Sequence, residues 1–218
     1  MLSYTEENYL KAIYHLSDSG TKAVLTSEIA ETMNTKAASV TDMIKKLSNK
    51  NLIAYEKYYG VKITKQGRHE ALMVVRKHRL WETFLVQKLQ FSWDEVHDVA
   101  EQLEHIQSSL LIEKLDEFLE FPTVDPHGHP IPDKSGKIVE VRQIPLSECS
   151  GKKKIIVRSV KHGSPSFLQY LSKIGVYIGA SVSILDKVEF DGSLEIMIDS
   201  KKKVFISREA AQNLLVTE

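Results

Sequence analysis

The feature that most limits the possible folds is a change of hydrophobic period across "PTVDPHGHPIPDKSG", residues 122–136. Before it, apolar residues recur every three to four positions, as on helices; after it, short β-branched runs predict strands. Four prolines and two glycines within these fifteen residues mark a linker-like break. The expected class is α+β, with helices gathered ahead of a small β domain.

The stretch "TEENYLKAIYHLSDSG" predicts a helix capped at Thr5, with Tyr9, Leu10, Ile13, Tyr14 and Leu16 as its apolar face and Gly20 as its end. "LTSEIAETMNTKAASVTDMIKKLSNKNLI" divides into two short helices about the turn "NTKAA". Thr26 or Ser27 caps the first, which turns Ile29, Ala30 and Met33 inward; the second, from Ser39 to Asn49, turns in Val40, Met43, Ile44 and Leu47. Lys45 and Lys46 lie on the outside of the second, the pattern of a helix-turn-helix. "LIAYEKYYGVKIT" predicts two strands around "YYG", a Tyr- and Lys-rich hairpin, and "TKQGRHEAL" opens a further helix. Together these make residues 1–75 a winged helix-turn-helix domain.

Residues 76–150 are expected to form a second, helical domain that includes the Pro/Gly-rich break. Its segments are "RKHRLWETFLVQKL", "VHDVAEQLEHIQ" after a Ser92 cap, and "SSLLIEKLDEFLEFP", ended by Pro122. With little core of its own, this part is expected to bury its apolar faces against a second copy, as a homodimer. Residues 151–218 turn to a strand pattern, "KKKIIVRSV", "ASVSILDKVEF" and "SLEIMID", with a turn at Asp191-Gly192 between the last two, then "KKVFISREAAQNLL", and a helical insert at "SPSFLQYLSKIG". Such short strands over roughly 65 residues fit an SH3-like β-barrel.

The formal net charge is zero, but its distribution is uneven. Residues 1–75 carry ten Lys/Arg against eight Asp/Glu, 76–148 eight against fourteen, and 149–218 eleven against seven. Five of the eight histidines also fall in the acidic middle. Carboxylates mixed with imidazoles suit a divalent cation, whereas a DNA-facing surface needs the opposite balance. A single cysteine, Cys149, excludes an internal disulfide and fits a reducing compartment. With no run of about 18 apolar residues and no basic-then-apolar leader, the expected location is the cytoplasm, with no membrane partner.

On one helix, His97, Glu101, Glu104 and His105 would share a face at i, i+4, i+7 and i+8. His78 and Glu82, four apart on the preceding helix, bring the candidate ligands to six, enough for two adjacent cation sites. The absence of thiolates and the excess of carboxylates favour Mn²⁺, then Fe²⁺, with Zn²⁺ or Co²⁺ as further candidates.

The runs "EENYLKAIY", "YEKYYGVKITKQG" and "RKHRLWETFL…VHDVAEQLEHIQS" resemble the diphtheria toxin repressor family of metal-dependent transcription regulators, in its long form with an SH3-like C-terminal domain. The resemblance covers essentially the whole chain. It implies an ancillary metal site at His78, Glu82 and His97 and a primary site at Glu101, Glu104 and His105. Asp125 and His127 resemble a loop that adds second-site ligands in some manganese-type members. Glu at 101, where iron-responsive members carry Cys, implies manganese. Asn8 stands where the family places a first-helix ligand, with an amide oxygen in place of Asp or Met. Lys11 stands where some manganese-type members have a carboxylate. Near "KHGSPSF", where iron-type members donate acidic or amide ligands, the chain has Gly163, Ser164 and Ser166, leaving His162 as the one strong donor.

The expected function is that of a repressor whose metal acts as corepressor. The bound cation would select a dimer whose recognition helices sit about one DNA turn apart on a palindromic operator. Moving the DNA-competent form from scarce to dominant needs about a 10⁴-fold preference, roughly 5.5 kcal/mol. DNA contacts are expected from Lys36, Ser39, Thr41, Asp42, Lys45 and Lys46 around the recognition helix and from Lys57 and Lys62 in the wing. The lysines would hold phosphates, and Ser39, Thr41 and Asp42 would read bases. Two alternatives stand beside this: a dinuclear hydrolase with Glu104 as base, and a winged-helix regulator with a non-metal signal. The first lacks a separate nucleophile, phosphate loop or oxyanion motif, so no small organic substrate is expected.

Overall fold

The computed structural model describes residues 2–56, 59–139, 141–151 and 153–217. Its chain forms two compact units, one of Met1–His78, Glu101–Ile112 and Pro132–Ile138, the other of Arg79–Ala100, Glu113–Ile131 and Val139–Glu218.

In the first unit, α1 (Tyr4–Leu16) is capped by Ser3 rather than Thr5. Ser3 Oγ accepts the Glu6 N–H at 3.3 Å, and the Ser3 N–H donates to Glu6 Oε2 at 2.8 Å. The reason is spacing: Ser3 has a Glu three residues on, whereas Thr5 has Asn8 there and cannot close the same reciprocal box. In α2 (Thr26–Thr32), Thr26 and Ser27 already lie within the helix, and Leu25 donates its N–H to Glu28 Oε2 at 2.7 Å. α3 (Ala37–Asn49) begins two residues before Ser39 and buries Val40, Ile44 and Leu47. With Leu10, Ile13, Ile29 and Leu72 these form one core, while Ala30, Met33 and Met43 are only partly covered.

The wing follows as β1 (Ile53–Glu56) and β2 (Gly60–Ile63), antiparallel, with Ile53 opposite Ile63. Val24 and Val61 exchange backbone hydrogen bonds at 2.9 and 2.8 Å, which ties the wing back to the segment before α2. Gly60 permits this approach. Its φ is 97°, and a Cβ there would lie 2.4 Å from the Val24 carbonyl oxygen.

α4 (Lys65–Leu89) runs for 25 residues without interruption, so the division expected between residues 75 and 76 falls inside a helix. α5 is Val96–Leu103 and α6 is Ser109–Phe118. No helix of the described residues is long and apolar enough to cross a membrane.

The Pro/Gly-rich stretch is a packed loop rather than a loose linker. Asp125 Oδ1 accepts the N–H groups of His127 and His129 at 2.8 and 3.0 Å, Val124 pairs with Pro130, and Ile131 is buried. Proline and glycine serve a tight, hydrogen-bonded loop as readily as a flexible spacer, and composition alone does not separate the two.

The second unit contains an antiparallel sheet built from β3 (Ile144–Pro145), β4 (Ile155–Val160), β5 (Ser181–Lys187), β6 (Leu194–Ile198), β7 (Lys202–Ile206) and β8 (Leu214–Thr217), in the order β3-β8-β4-β5-β6-β7. Its register sets Val157 opposite Val216 and Ile184 opposite Ile196. These inward side chains pack with Leu168 and Leu171 of α7 (Pro165–Ile174) and with Ala210 and Ala211 of α8 (Arg208–Asn213) in one apolar core. The result is the expected small SH3-like β domain, with β3 as a strand ahead of residue 151.

Candidate metal centre

The expected single stripe on α5 does not form. The helix stops at Leu103, and Glu104 and His105 lie in the turn beyond it. That turn carries both inward: Glu104 is fully buried, and the His105 side chain is 8% exposed. His97, at the other end of α5, stays 60% exposed and reaches Glu82 Oε1 with Nδ1 at 3.6 Å. His78 stands one turn before Glu82 on α4.

In the first unit a buried polar cluster forms around the turn. Glu104 Oε2 lies 2.5 Å from His78 Nδ1, and Glu104 Oε1 lies 2.6 Å from Lys11 Nζ, which also sits 3.1 Å from Glu101 Oε1. Burial alone would push the Glu104 carboxyl up. The hydrogen bond from His78 and the charges of Lys11 and His78 outweigh that and hold it below the usual value. His105 Nδ1 lies 2.5 Å from Glu7 Oε2 and donates to it. Glu7 is itself held by Gln107 Nε2 at 3.1 Å and Lys77 Nζ at 3.4 Å. The other ring nitrogen of His105, Nε2, faces inward. That atom is buried without a hydrogen-bond partner and faces Glu104 Oε1 at 3.5 Å.

α1 therefore reaches the cluster through Glu7 and Lys11 rather than through Asn8, which is half-buried and joins none of these groups. Glu7 was missed by sequence reasoning. Its signal is weak, an acidic residue in a helical first turn that also suits the helix dipole.

In the second unit two further histidines repeat the arrangement. His127 Nε2 donates to the Trp93 carbonyl at 2.7 Å and sets Nδ1 3.5 Å from Glu82 Oε2. His129 Nε2 donates to the Val160 carbonyl at 2.9 Å and sets Nδ1 3.3 Å from Asp125 Oδ2, a buried oxygen without a hydrogen-bond partner. Each of Asp125, His127 and His129 offers a donor atom within 4.8 Å of the others. Arg79 Nε stands 3.5 Å from Asp125 Oδ2. Burial pulls the His127 imidazole down, but the hydrogen bond and charge of Glu82, then Asp125, raise it above its ordinary value. His129 was also absent from the expected set, although "DPHGH" places it two residues beyond His127. His162, Gly163, Ser164 and Ser166 are all exposed.

In three imidazoles, then, one nitrogen is tied to a fixed acceptor while the other faces a carboxylate oxygen at 3.3–3.5 Å. Outer acceptors of this kind orient metal-binding histidines. Two buried atoms without a hydrogen bond, His105 Nε2 and Asp125 Oδ2, and an all-oxygen-and-nitrogen donor set fit a divalent cation of the harder kind.

On the DNA-binding side, Lys36, Ser39, Thr41, Asp42, Lys45 and Lys46 are all exposed on or just before α3, and Lys62 is exposed on β2. Asp42 pairs with Lys45 at 3.7 Å, and Lys62 with Glu56 at 3.7 Å. The Thr41 hydroxyl donates to the Ala37 carbonyl at 3.0 Å. Lys57 lies outside the described residues.

Comparison with known proteins agrees in domain order. Residues 1–61 match the iron-dependent repressor N-terminal DNA-binding domain, 64–133 its metal-binding and dimerisation domain, and 144–218 the FeoA domain. The iron-dependent repressor IdeR of Mycobacterium leprae is 30% identical over 161 residues, covering 74% of this chain and 68% of its own. The diphtheria toxin repressor of Corynebacterium glutamicum is 28% identical over 210 residues, covering 89% and 92%. A solved manganese-dependent transcriptional repressor in complex with manganese is 35% identical and superposes with a TM-score of 0.84, covering 98% of this chain and 99% of that one. With its helix-turn-helix, its His/Glu cluster and its C-terminal β domain all in that order, the chain belongs to the iron-dependent, diphtheria-toxin-repressor family of metal-dependent transcriptional repressors.

Proposed function

We propose that this repressor responds to Mn²⁺, with Fe²⁺ as the second candidate, and that the cation is held by His105 Nε2, Glu104 and Glu101, with Glu7 orienting His105. The observation that carries the reading is the buried Nε2 of His105 facing Glu104 while Glu7 holds the opposite ring nitrogen. A bound divalent cation would supply two positive charges among these carboxylates. Glu7 belongs to α1, whose residues pack against the recognition helix, so order at the cluster reaches the DNA-binding helices. Glu82, Asp125, His127 and His129, with His97 beside Glu82, are proposed to hold a second cation.

The manganese preference rests on the donor set, which lacks thiolate and thioether, and on likeness to the manganese repressor above. The partner is proposed to be a palindromic duplex operator bound by a homodimer. α6 supports the dimer by leaving Leu110, Leu111 and Phe118 exposed at 64, 42 and 57%, more apolar surface than one short helix usually shows to water. Lys36, Lys45, Lys46 and Lys62, with Lys57, are assigned to phosphates, and Ser39, Thr41 and Asp42 to bases. The proposed domains are 1–75 for DNA binding, 76–150 for metal and dimerisation, and 151–218 for the SH3-like part.

A gel-shift titration with Mn²⁺, Fe²⁺ and Zn²⁺, with and without chelator, tests this reading. Binding to a two-fold-symmetric site only when metal is present is the expected result. Chelator-indifferent binding would overturn it.

A further inference from the structure

The carboxylate oxygen that His105 Nε2 faces is the same oxygen that Lys11 holds. Lys11 Nζ lies 2.6 Å from Glu104 Oε1 and 3.1 Å from Glu101 Oε1, while His105 Nε2 lies 3.5 Å from Glu104 Oε1. The other oxygen of Glu104 is engaged by His78 at 2.5 Å, so neither oxygen of this fully buried carboxylate is open. The Lys11 side chain is itself only 15% exposed, so its ammonium is a fixed part of the cluster rather than a solvated surface charge.

We propose that Lys11 is a tethered competitor for the metal: its ammonium neutralises Glu101 and Glu104, and a divalent cation binds only by displacing it. The inference rests on the metal-site reading above and goes beyond it, because it assigns the setting of the response threshold to a residue that is not a ligand. The physical argument is charge balance. The buried carboxylates of Glu7 and Glu104 and the half-exposed one of Glu101 meet the ammonium groups of Lys11 and Lys77, and at the buried members unpaired charge is strongly disfavoured. An entering cation gains Glu104 and Glu101 only by breaking two close ammonium contacts. Part of its binding energy is thereby offset, which moves half-saturation to a higher free-metal concentration.

The test uses the full-length chain and Mn²⁺ competed against a fluorescent chelator at about pH 8, where carboxyl groups are ionised. Lys11→Leu, which removes the charge and adds no donor, is expected to bind Mn²⁺ about tenfold more tightly than wild type, and to melt at a lower temperature than wild type in EDTA. Lys11→Gln is a second neutral variant that keeps amide donors for Glu104, and it should shift affinity in the same direction. Lys11→Arg, which keeps a cation, should stay within about threefold of wild type. Neutral variants that bind Mn²⁺ equally or more weakly would overturn the inference while leaving the metal site standing. A wild-type chain that binds no Mn²⁺ would overturn the site reading itself, and the inference with it.

Discussion

Gly128 lies against the backbone of Arg158 so closely that a Cβ on it would sit 1.8 Å from the Arg158 carbonyl oxygen, and its φ of 84° is in the left-handed region. Both facts require glycine at the fourth position of "DPHGH". Gly128→Ala is therefore expected to destabilise the chain by about 1–3 kcal/mol. It should also lower the number of Mn²⁺ bound per chain by disturbing His127 and His129 while leaving the Glu104 cluster loaded. Thermal melts with metal analysis of the purified variant check both outcomes.

Glu7 and Asn8 offer a sharper contrast, since they are adjacent on α1 and only Glu7 touches the cluster. Glu7→Gln removes the carboxylate that receives the His105 proton, and it should weaken Mn²⁺ binding about 10–100-fold, the usual cost of losing an outer-sphere partner. Asn8→Ala should change it less than about threefold. Equal losses in chelator competition would mean that α1 donates through Asn8 after all.

The inward faces of the N-terminal part were legible in the sequence because local rules govern them, as in the spacing of Leu10, Ile13 and Tyr14, but the helix termini were not: Ser3 rather than Thr5 caps α1, which ends at Leu16 rather than Gly20, and α3 starts at Ala37 rather than Ser39. The candidate metal cluster was legible as composition but not as geometry. One periodic stripe from His97 to His105 assumed a helix that in fact ends at Leu103, and only the following turn buries Glu104 and His105. Glu7 and His129 were hidden for a different reason. Each acts through a partner distant in sequence, His105 in one case and the Val160 carbonyl in the other, and no local pattern encodes such a pairing.

Acid should loosen the start of α1. Glu6 is buried, which raises its carboxyl, but hydrogen bonds from Lys50 and the Ser3 N–H bring it below its ordinary value of 4.5. A lowered folded value means the cap contributes fully above 4.5 and fades as pH falls through the lowered one. Glu6→Gln should cost about 1 kcal/mol at neutral pH. The gap from wild type should narrow as pH falls from 4.5 through the lowered value, as read from urea unfolding across pH. A gap of constant size would count against the cap.

Salt dependence separates the phosphate contacts from the base contacts proposed for α3. Lys45→Ala and Lys46→Ala should each weaken operator binding alike on all sequences and reduce the slope of log affinity against log salt by about one. Ser39→Ala should leave the slope alone and relax preference at one base position. Binding isotherms at several salt concentrations, on the operator and on a scrambled duplex, resolve the two patterns.

Val160 ends β4 with both of its backbone groups turned to the acidic loop: its N–H donates to the His127 carbonyl at 3.1 Å, and its carbonyl receives the His129 proton at 2.9 Å. Trp93, whose carbonyl anchors His127, is in turn pinned through its indole N–H to Ser172 on α7 at 2.9 Å. A chain shortened to its first 139 residues would keep the carboxylates and imidazoles of both clusters, yet His129 would lose the Val160 carbonyl and Trp93 would lose its Ser172 anchor. The C-terminal domain thus acts as a jig for rings it does not itself contain, aiming His129 directly from β4 and His127 at one remove, through Trp93 and α7.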